Sequence, residues 1–240
     1  MKQLVRGAFT IAASLILNFA YAGDGGKDAK TKTVTVDDAT LVYRTYGDKD
    51  GTPLVLLAPL GFSLDDWDPA VVNGLARNST VILFDNKGVG ASTGKTPSTI
   101  AEMAKDAASF VKALGYSKVD LLGFSMGGFV AQQIIETEPQ LVNKLILVGT
   151  GPQGAEFTAV AGWAQPDPAG FERAKNVTNP VLIFGGQYDF FLPVSNPVKL
   201  YTTLPNARLV LLPDAGHASF FQYPELFVQE TGAFLKNRSL

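Results

Sequence analysis

One histidine, no cysteine and two matches to the pattern Gly-x-Ser-x-Gly set the chemistry open to this chain. The matches are "GASTG", Gly90 to Gly94, and "GFSMG", Gly123 to Gly127. A serine hydroxyl is a poor nucleophile until a base takes its proton, and this pattern can hold such a serine on a tight turn. The imidazole of His217, in "LLPDAGHASFF", is the available base. An imidazole serves as a base when a partner holds one tautomer, commonly a carboxylate, and Asp189 in "VLIFGGQYDFFLP" offers one. Together these residue types describe acyl transfer through a covalent serine intermediate. With no cysteine and a single histidine, zinc, iron–sulfur and haem chemistry are disfavoured. No Asp/Glu cluster has the spacing of a hard-cation loop, so neither a metal nor a cofactor is expected.

The elements around each serine decide between them. "PLVLLAP", "TVILFD", "VDLLGF", "KLILVG", "PVLIFGG" and "RLVLLP" are short apolar runs bounded by turn residues. Such runs suit strands buried on both faces of a parallel sheet. "KTVTV" and "TLVYRTYG" precede them and suggest an antiparallel pair. Helical spacing over Thr99 to Leu114, with Thr99 and Glu102 as a capping box, and helices over about Met126–Thr137 and Pro224–Leu235, alternate with these runs. The expected fold is α/β: a mostly parallel sheet with helices on both faces. Ser125 then falls between the strand "VDLLGF" and the helix "MGGFVAQQIIET", on a turn at the carboxyl end of the sheet. Ser92 sits inside a loop, with no strand just before it and no helix just after, where a hydroxyl satisfies local backbone. Asp189 and His217 each follow a separate strand, so both return to the edge that carries Ser125.

A tetrahedral intermediate also needs donors for its oxyanion. The N–H of Met126, directly after the nucleophile, is one candidate, and the N–H of Phe62 in "LGFSLDDW" is the other. Leu60, Phe124, Trp163 and Phe190 are candidate walls of a substrate pocket, joined by Phe62, Trp67 and Phe191. Each also suits ordinary core packing.

The chain has 240 residues, 46% apolar and 18% charged, with a net charge of −2. That suits one domain with a sizeable core and no basic surface for nucleic acid. The first 22 residues read as a secretory signal peptide: two cations in "MKQLVR", an apolar run too short for a comfortable span, and Ala20-Tyr21-Ala22 as a cleavage site. A polar leader over 23–31 and a single domain over 32–240 follow. The expected location is periplasmic or secreted, with no stable membrane insertion after cleavage. A domain of this size can be stable without disulfides even where export would permit them.

In "PLVLLAPLGFSLDDWDP", "FDNKGVGAST", "LLGFSMGGFVAQ", "VLIFGGQYD" and "LPDAGHASFFQYPELF", taken in this order, the chain resembles the α/β-hydrolase superfamily, near its esterase, cofactor-free haloperoxidase and enol-lactonase-like members. The resemblance runs from about Lys32 to Leu235. It implies Ser125, Asp189 and His217 as the triad and "DNKGVGAS" as a structural loop. The chain departs from the family pattern twice. Leu60-Gly61 stands where His-Gly is usual, and 153–178 is a reduced connector where relatives insert a helical cap. A missing cap implies a shallow, open site, which favours hydrolysis over chemistry that must exclude water. The expected activity is cleavage of a small-molecule carboxylic ester. Perhydrolysis or haloperoxidation by the same triad, and non-catalytic binding of a small molecule, are the alternatives.

Overall fold

A computed structural model describes residues 29–152 and 170–237. The signal peptide, most of the leader, Trp163 and most of the 153–178 connector lie outside the described residues.

The hairpin β1 (Lys32–Val36) and β2 (Ala39–Tyr46) is antiparallel, as its sequence predicts. Strands β3 (Leu54–Leu57), β4 (Val81–Phe84), β5 (Val119–Phe124), β6 (Val142–Val148), β7 (Val181–Gly186) and β8 (Ala207–Leu212) are the six apolar runs. They join the hairpin in one eight-stranded sheet of order β1-β2-β4-β3-β5-β6-β7-β8. All pairings from β4 to β8 are parallel. Strand β8 departs from its reading as a strand buried on both faces. Only Leu212 is fully buried, because β8 closes the sheet and pairs on one side.

Alternation hidden inside the continuous apolar runs divides the core in two. Val55, Leu57, Ile82, Phe84, Leu121, Leu145 and Leu147 face helices α2 (Ile100–Ala113) and α3 (Met126–Thr137). Leu54, Leu56, Leu83, Leu122, Phe124, Ile146 and Val148 face α1 (Pro69–Ala76) and α7 (Pro224–Lys236). Each strand side chain points to the face opposite its neighbour, so an all-apolar strand supplies both layers.

Helix boundaries follow local chemistry. The Thr99 hydroxyl accepts the Glu102 N–H, and the Glu102 carboxylate accepts the Thr99 N–H, closing the capping box. Helix α1 starts where Asp68 accepts the Ala70 N–H at 2.7 Å and Pro69 fills the first turn. The short helices α4 (Gly170–Ala174), α5 (Ser195–Thr203) and α6 (Ser219–Gln222), with a 3₁₀ turn at Pro139–Leu141, complete the described elements. Parallel strands all end on one edge, and the loops after β3, β5, β6, β7 and β8 meet there.

Candidate active site

Ser125 is the residue between β5 and α3, and its backbone is strained. Its φ of 52° and ψ of −116° put a non-glycine residue where L side chains rarely go. Such a conformation costs about 1–3 kcal/mol and persists where neighbours over-determine it. Here the Ser125 N–H donates to the Val148 carbonyl at 2.9 Å. The Ser125 carbonyl accepts from the Gly128 N–H and from the Thr150 hydroxyl, each at 2.9 Å. Close backbone approach accounts for the flanking glycines. A Cβ on Gly123 would lie 2.4 Å from the Gly127 oxygen, and one on Gly127 would lie 2.0 Å from the Leu57 oxygen. The turn is therefore pinned to β3 and β6 at once.

Asp189 follows β7, and His217 follows β8. One Asp189 oxygen accepts the N–H groups of Phe191 and Leu192, at 2.9 and 2.8 Å. The other lies 2.8 Å from His217 Nδ1. The Asp189 side chain is only 4% exposed and the imidazole 19%. With Asp189 ionised, Nδ1 carries the proton and donates it to the carboxylate, which leaves Nε2 with its lone pair free to accept. The ring of Phe124, the residue before Ser125, lies 5.1 Å from the imidazole, and Phe191 lies 5.1 Å from it as well. A backbone bond from the Tyr188 N–H to the Ala215 carbonyl, at 2.9 Å, ties the two loops together, and the Gln222 side chain accepts the Gly216 N–H at 2.7 Å within the His217 loop.

The loop after β3 carries the other predicted donor. Gly61, at φ 80°, closes a turn in which the Phe62 N–H reaches back to the Pro59 carbonyl at 3.4 Å, the long end of hydrogen bonding. Two carboxylates fix the rest of this loop. Asp85 accepts the Leu64 N–H at 2.7 Å, and Asp66 accepts both the N–H and the hydroxyl of Ser63. Those Ser63 bonds hold the Asp66 carboxyl below its ordinary range. Met126, the first residue of α3, has no acceptor for its N–H within the helix. The N-terminal end of the helix adds partial positive charge at the same spot.

Of the candidate pocket residues, Phe124 is buried and Leu60 is half-exposed on the turn before Phe62. Phe190 departs from its expected place: it is 91% exposed, and Phe191 takes the position beside the imidazole. The reason is the Asx-type turn of Asp189, which draws the Phe191 N–H inward and leaves Phe190 at the tip. Trp67 is core, packed on Phe220 and Phe221. Sequence reasoning passed over Thr150 and Gln132. Gln132 donates to the carbonyls of Gly128 and Gly151, at 3.0 and 2.9 Å, and so binds the start of α3 to the loop after β6. The available signal was the polar "TG" directly after the apolar run of β6.

Ser92 is buried, and its hydroxyl donates to the Asp85 carbonyl at 2.8 Å while accepting the Val42 N–H at 2.9 Å. Another carboxyl, held well above its ordinary range, lies elsewhere again. Asp120, at the amino end of β5, is pushed up to about 6 by burial, against the pull of its bond from Asn143. A cavity of about 350 Å³ lined by Lys112, Tyr116, Glu138 and Leu141 also precedes the amino ends of β5 and β6. Both are at the edge opposite Ser125.

Comparison with known proteins points to one family. The family model described as alpha/beta hydrolase fold matches residues 52–177. BpoC of Mycobacterium tuberculosis, provisionally named a non-heme bromoperoxidase, is 25% identical over 247 residues, covering 77% of this chain and 94% of that protein. RutD of Azorhizobium caulinodans, provisionally named a carbamate hydrolase, is 32% identical over 151 residues, covering 62% of this chain and 51% of that one. Among solved structures, an alpha/beta hydrolase fold protein from Chitinophaga pinensis is 30% identical, with a TM-score of 0.79, covering 87% of this chain and 98% of its own.

Proposed function

The chain belongs to the α/β hydrolase fold family, and we propose that it is an exported serine hydrolase that cleaves carboxylic esters through an acyl-enzyme on Ser125. The observation that carries this reading is the pairing of a strained Ser125 turn with a buried Asp189–His217 bond on one edge of the sheet. A turn held in a costly conformation by three backbone-directed bonds, beside an imidazole in a defined tautomer, suits a nucleophile more than a binding surface.

In this reaction His217 Nε2 takes the Ser125 proton as the hydroxyl oxygen attacks the ester carbonyl. Asp189 stays ionised and steadies the imidazolium, while the bonds from Phe191 and Leu192 keep its carboxylate aimed. Negative charge on the carbonyl oxygen meets the Met126 N–H and the Phe62 N–H. The Phe62 group exchanges a long bond to Pro59 for one to the oxyanion, so little is lost in the exchange. His217 then protonates the leaving alcohol, and water repeats the sequence on the acyl-enzyme. Leu60, Phe124 and Phe191 border the acyl group. No cofactor takes part in this scheme.

The export part of the reading rests on the composition of residues 1–22, with 32–240 as one domain and 153–178 as a reduced connector. N-terminal sequencing of the protein from the culture medium or periplasm tests it, and a chain still beginning at Met1 would count against it. The chemistry is tested with a panel of p-nitrophenyl esters and fluorophosphonate labelling. Labelled Ser125 and turnover of at least one ester are the expected results. No turnover and no labelling would favour a non-catalytic binder. The likeness to BpoC supports a second reading, in which hydrogen peroxide replaces water in attacking the acyl-enzyme. Hydrolysis and perhydrolysis rates measured side by side separate the two.

A further inference from the structure

The Met126 N–H is one end of the peptide that Met126 shares with Ser125. A trans peptide is planar, so its C=O and N–H point in opposite directions and turn as one body. Whatever holds the Ser125 carbonyl therefore aims the Met126 N–H. Two groups hold it, the Gly128 N–H and the Thr150 hydroxyl, each at 2.9 Å. The first belongs to α3 and moves with the helix. The second comes from the loop after β6 and ties the peptide to the sheet.

The surroundings of Thr150 are arranged for that bond. Its side chain is buried, and it lies directly over Gly128. A Cβ on Gly128 would come within 2.5 Å of the Thr150 methyl and 2.6 Å of its hydroxyl oxygen. Gly128 stands outside the Gly-x-Ser-x-Gly pattern, and the space it leaves is the space Thr150 fills. Gln132, one turn further along α3, bonds the Gly128 and Gly151 carbonyls, so helix and loop are fastened on both sides of the hydroxyl. The torsion that sets the peptide plane is the Ser125 ψ of −116°, part of the strained conformation. Without an anchor on the carbonyl, relief of that strain swings the N–H away from its aim. A hydrogen bond accepted by the carbonyl also polarises the peptide and strengthens its N–H as a donor.

We propose that Thr150 is a positioning residue of the oxyanion hole: its hydroxyl fixes the plane of the Ser125–Met126 peptide, so that the Met126 N–H meets the charge developing on the attacked carbonyl oxygen. This rests on the serine-hydrolase reading above, and it adds a group outside the triad on which the transition-state donor depends.

The test compares Thr150→Ala with Thr150→Ser, which differ by the hydroxyl alone. Thr150→Val repeats the test should the alanine variant fail to fold, because its methyl stands where the hydroxyl donates. With the best p-nitrophenyl ester, Thr150→Ala should lower kcat by about ten- to a hundredfold, with KM within about twofold. Thr150→Ser should stay within about threefold of wild type. An aryl trifluoromethyl ketone reads the oxyanion directly. Ser125 adds to the ketone carbon, its proton passes to His217, and the former carbonyl oxygen becomes the oxyanion. Its inhibition should weaken in Thr150→Ala by the same factor as kcat/KM.

The pH profile separates this role from general loosening of the loop. Gly149, beside Thr150, packs on the His217 loop, where a Cβ would lie 2.6 Å from the His217 carbonyl oxygen and 3.3 Å from Nδ1. A loop that merely loosened would disturb the base as well, so a pH of half-maximal kcat/KM displaced from the wild-type value overturns the proposal. A lowered Tm with kcat per folded molecule within about twofold of wild type also overturns it. So does Thr150→Ser falling as far as Thr150→Ala, or a rise in KM with kcat intact. Fluorophosphonate labelling distinguishes failure of the ester reading. If the wild type is labelled at Ser125 but turns over no ester, labelling slowed about tenfold or more in Thr150→Ala keeps the positioning role and overturns the ester reading. A wild type that is neither labelled nor active overturns the nucleophile, and the role of Thr150 with it.

Discussion

The two Gly-x-Ser-x-Gly segments use the same residue types for opposite ends. Ser92 is fixed by its side chain: the hydroxyl donates to Asp85 and accepts from Val42, so both of its capacities serve the backbone. Ser125 is fixed by its main chain, through Val148, Gly128 and Thr150, and the bonds that hold it do not use its hydroxyl. The neighbouring carboxylates differ in the same way. Asp85 accepts the Leu64 and Ala91 N–H groups with its two oxygens, whereas Asp189 gives one oxygen to the backbone and the other to His217. Even the glycines differ. Gly90 leaves room for a carboxylate, since a Cβ there would lie 2.3 Å from Asp85, while Gly123 and Gly127 leave room for backbone. A serine whose polar atoms are consumed by the fold is structural, and one held by its main chain keeps a hydroxyl for chemistry.

Ser125→Ala should have the largest effect on that contrast. Turnover of the best p-nitrophenyl ester falls by about 10⁴ to 10⁶, with an unchanged thermal transition. Substantial turnover in this variant, with none in Ser92→Ala, would reverse the assignment. Asp189→Asn comes next. The amide keeps the shape but can present N–H to Nδ1 and so favour the other tautomer, and turnover falls by about 10⁴. An Asp189→Asn variant with near-normal kcat would show that the carboxylate merely shapes the loop through Phe191 and Leu192.

The sheet was legible because its strands are apolar runs too short for helices and bounded by turn residues, and the capping box of α2 was legible because Thr99 and Glu102 carry a local mechanism. Strand β8 was read as buried on both faces because an apolar run does not record whether it has one neighbour or two. The triad candidates could be picked from chain order, since each follows a separate strand. Phe191 and Thr150 could not be ranked, because their places depend on how a turn projects a side chain and not on spacing. Phe190 and Phe191 are adjacent and identical in type, and only the Asp189 turn decides which one meets the imidazole.

Asp85→Asn probes how far the structural segment reaches into the reactive one. The amide can accept one of the two N–H groups but turns its own NH₂ toward the other, leaving either Leu64 or Ala91 unpaired. A loosened Leu64 lets the turn bearing Phe62 drift, and small displacements of a positioning group cost up to about 10²-fold. The expected result is a fall in kcat of about ten- to a hundredfold with KM within about twofold, because the Phe62 donor acts on the transition state. An equal rise in KM with kcat intact would mean that Asp85 shapes the pocket and not the oxyanion loop.

Ser92→Ala should change turnover least, and for that reason it is the sharpest control. Removing the hydroxyl leaves the buried Val42 N–H without its acceptor and the Asp85 carbonyl without a donor. Stranding such groups costs about 1–3 kcal/mol, which for a domain of this size lowers Tm by about 2–10 °C. Activity per folded molecule should stay within about twofold of wild type, measured well below the transition. The same atom deleted at Ser125 should do the reverse, with Tm held and turnover lost. If Ser92→Ala instead lowers kcat at full foldedness, the Asp85 carbonyl is relaying strain through its own carboxylate to Leu64. The two glycine-flanked serines would then form one coupled device, with Ser92 a positioning residue for the turn that carries Phe62.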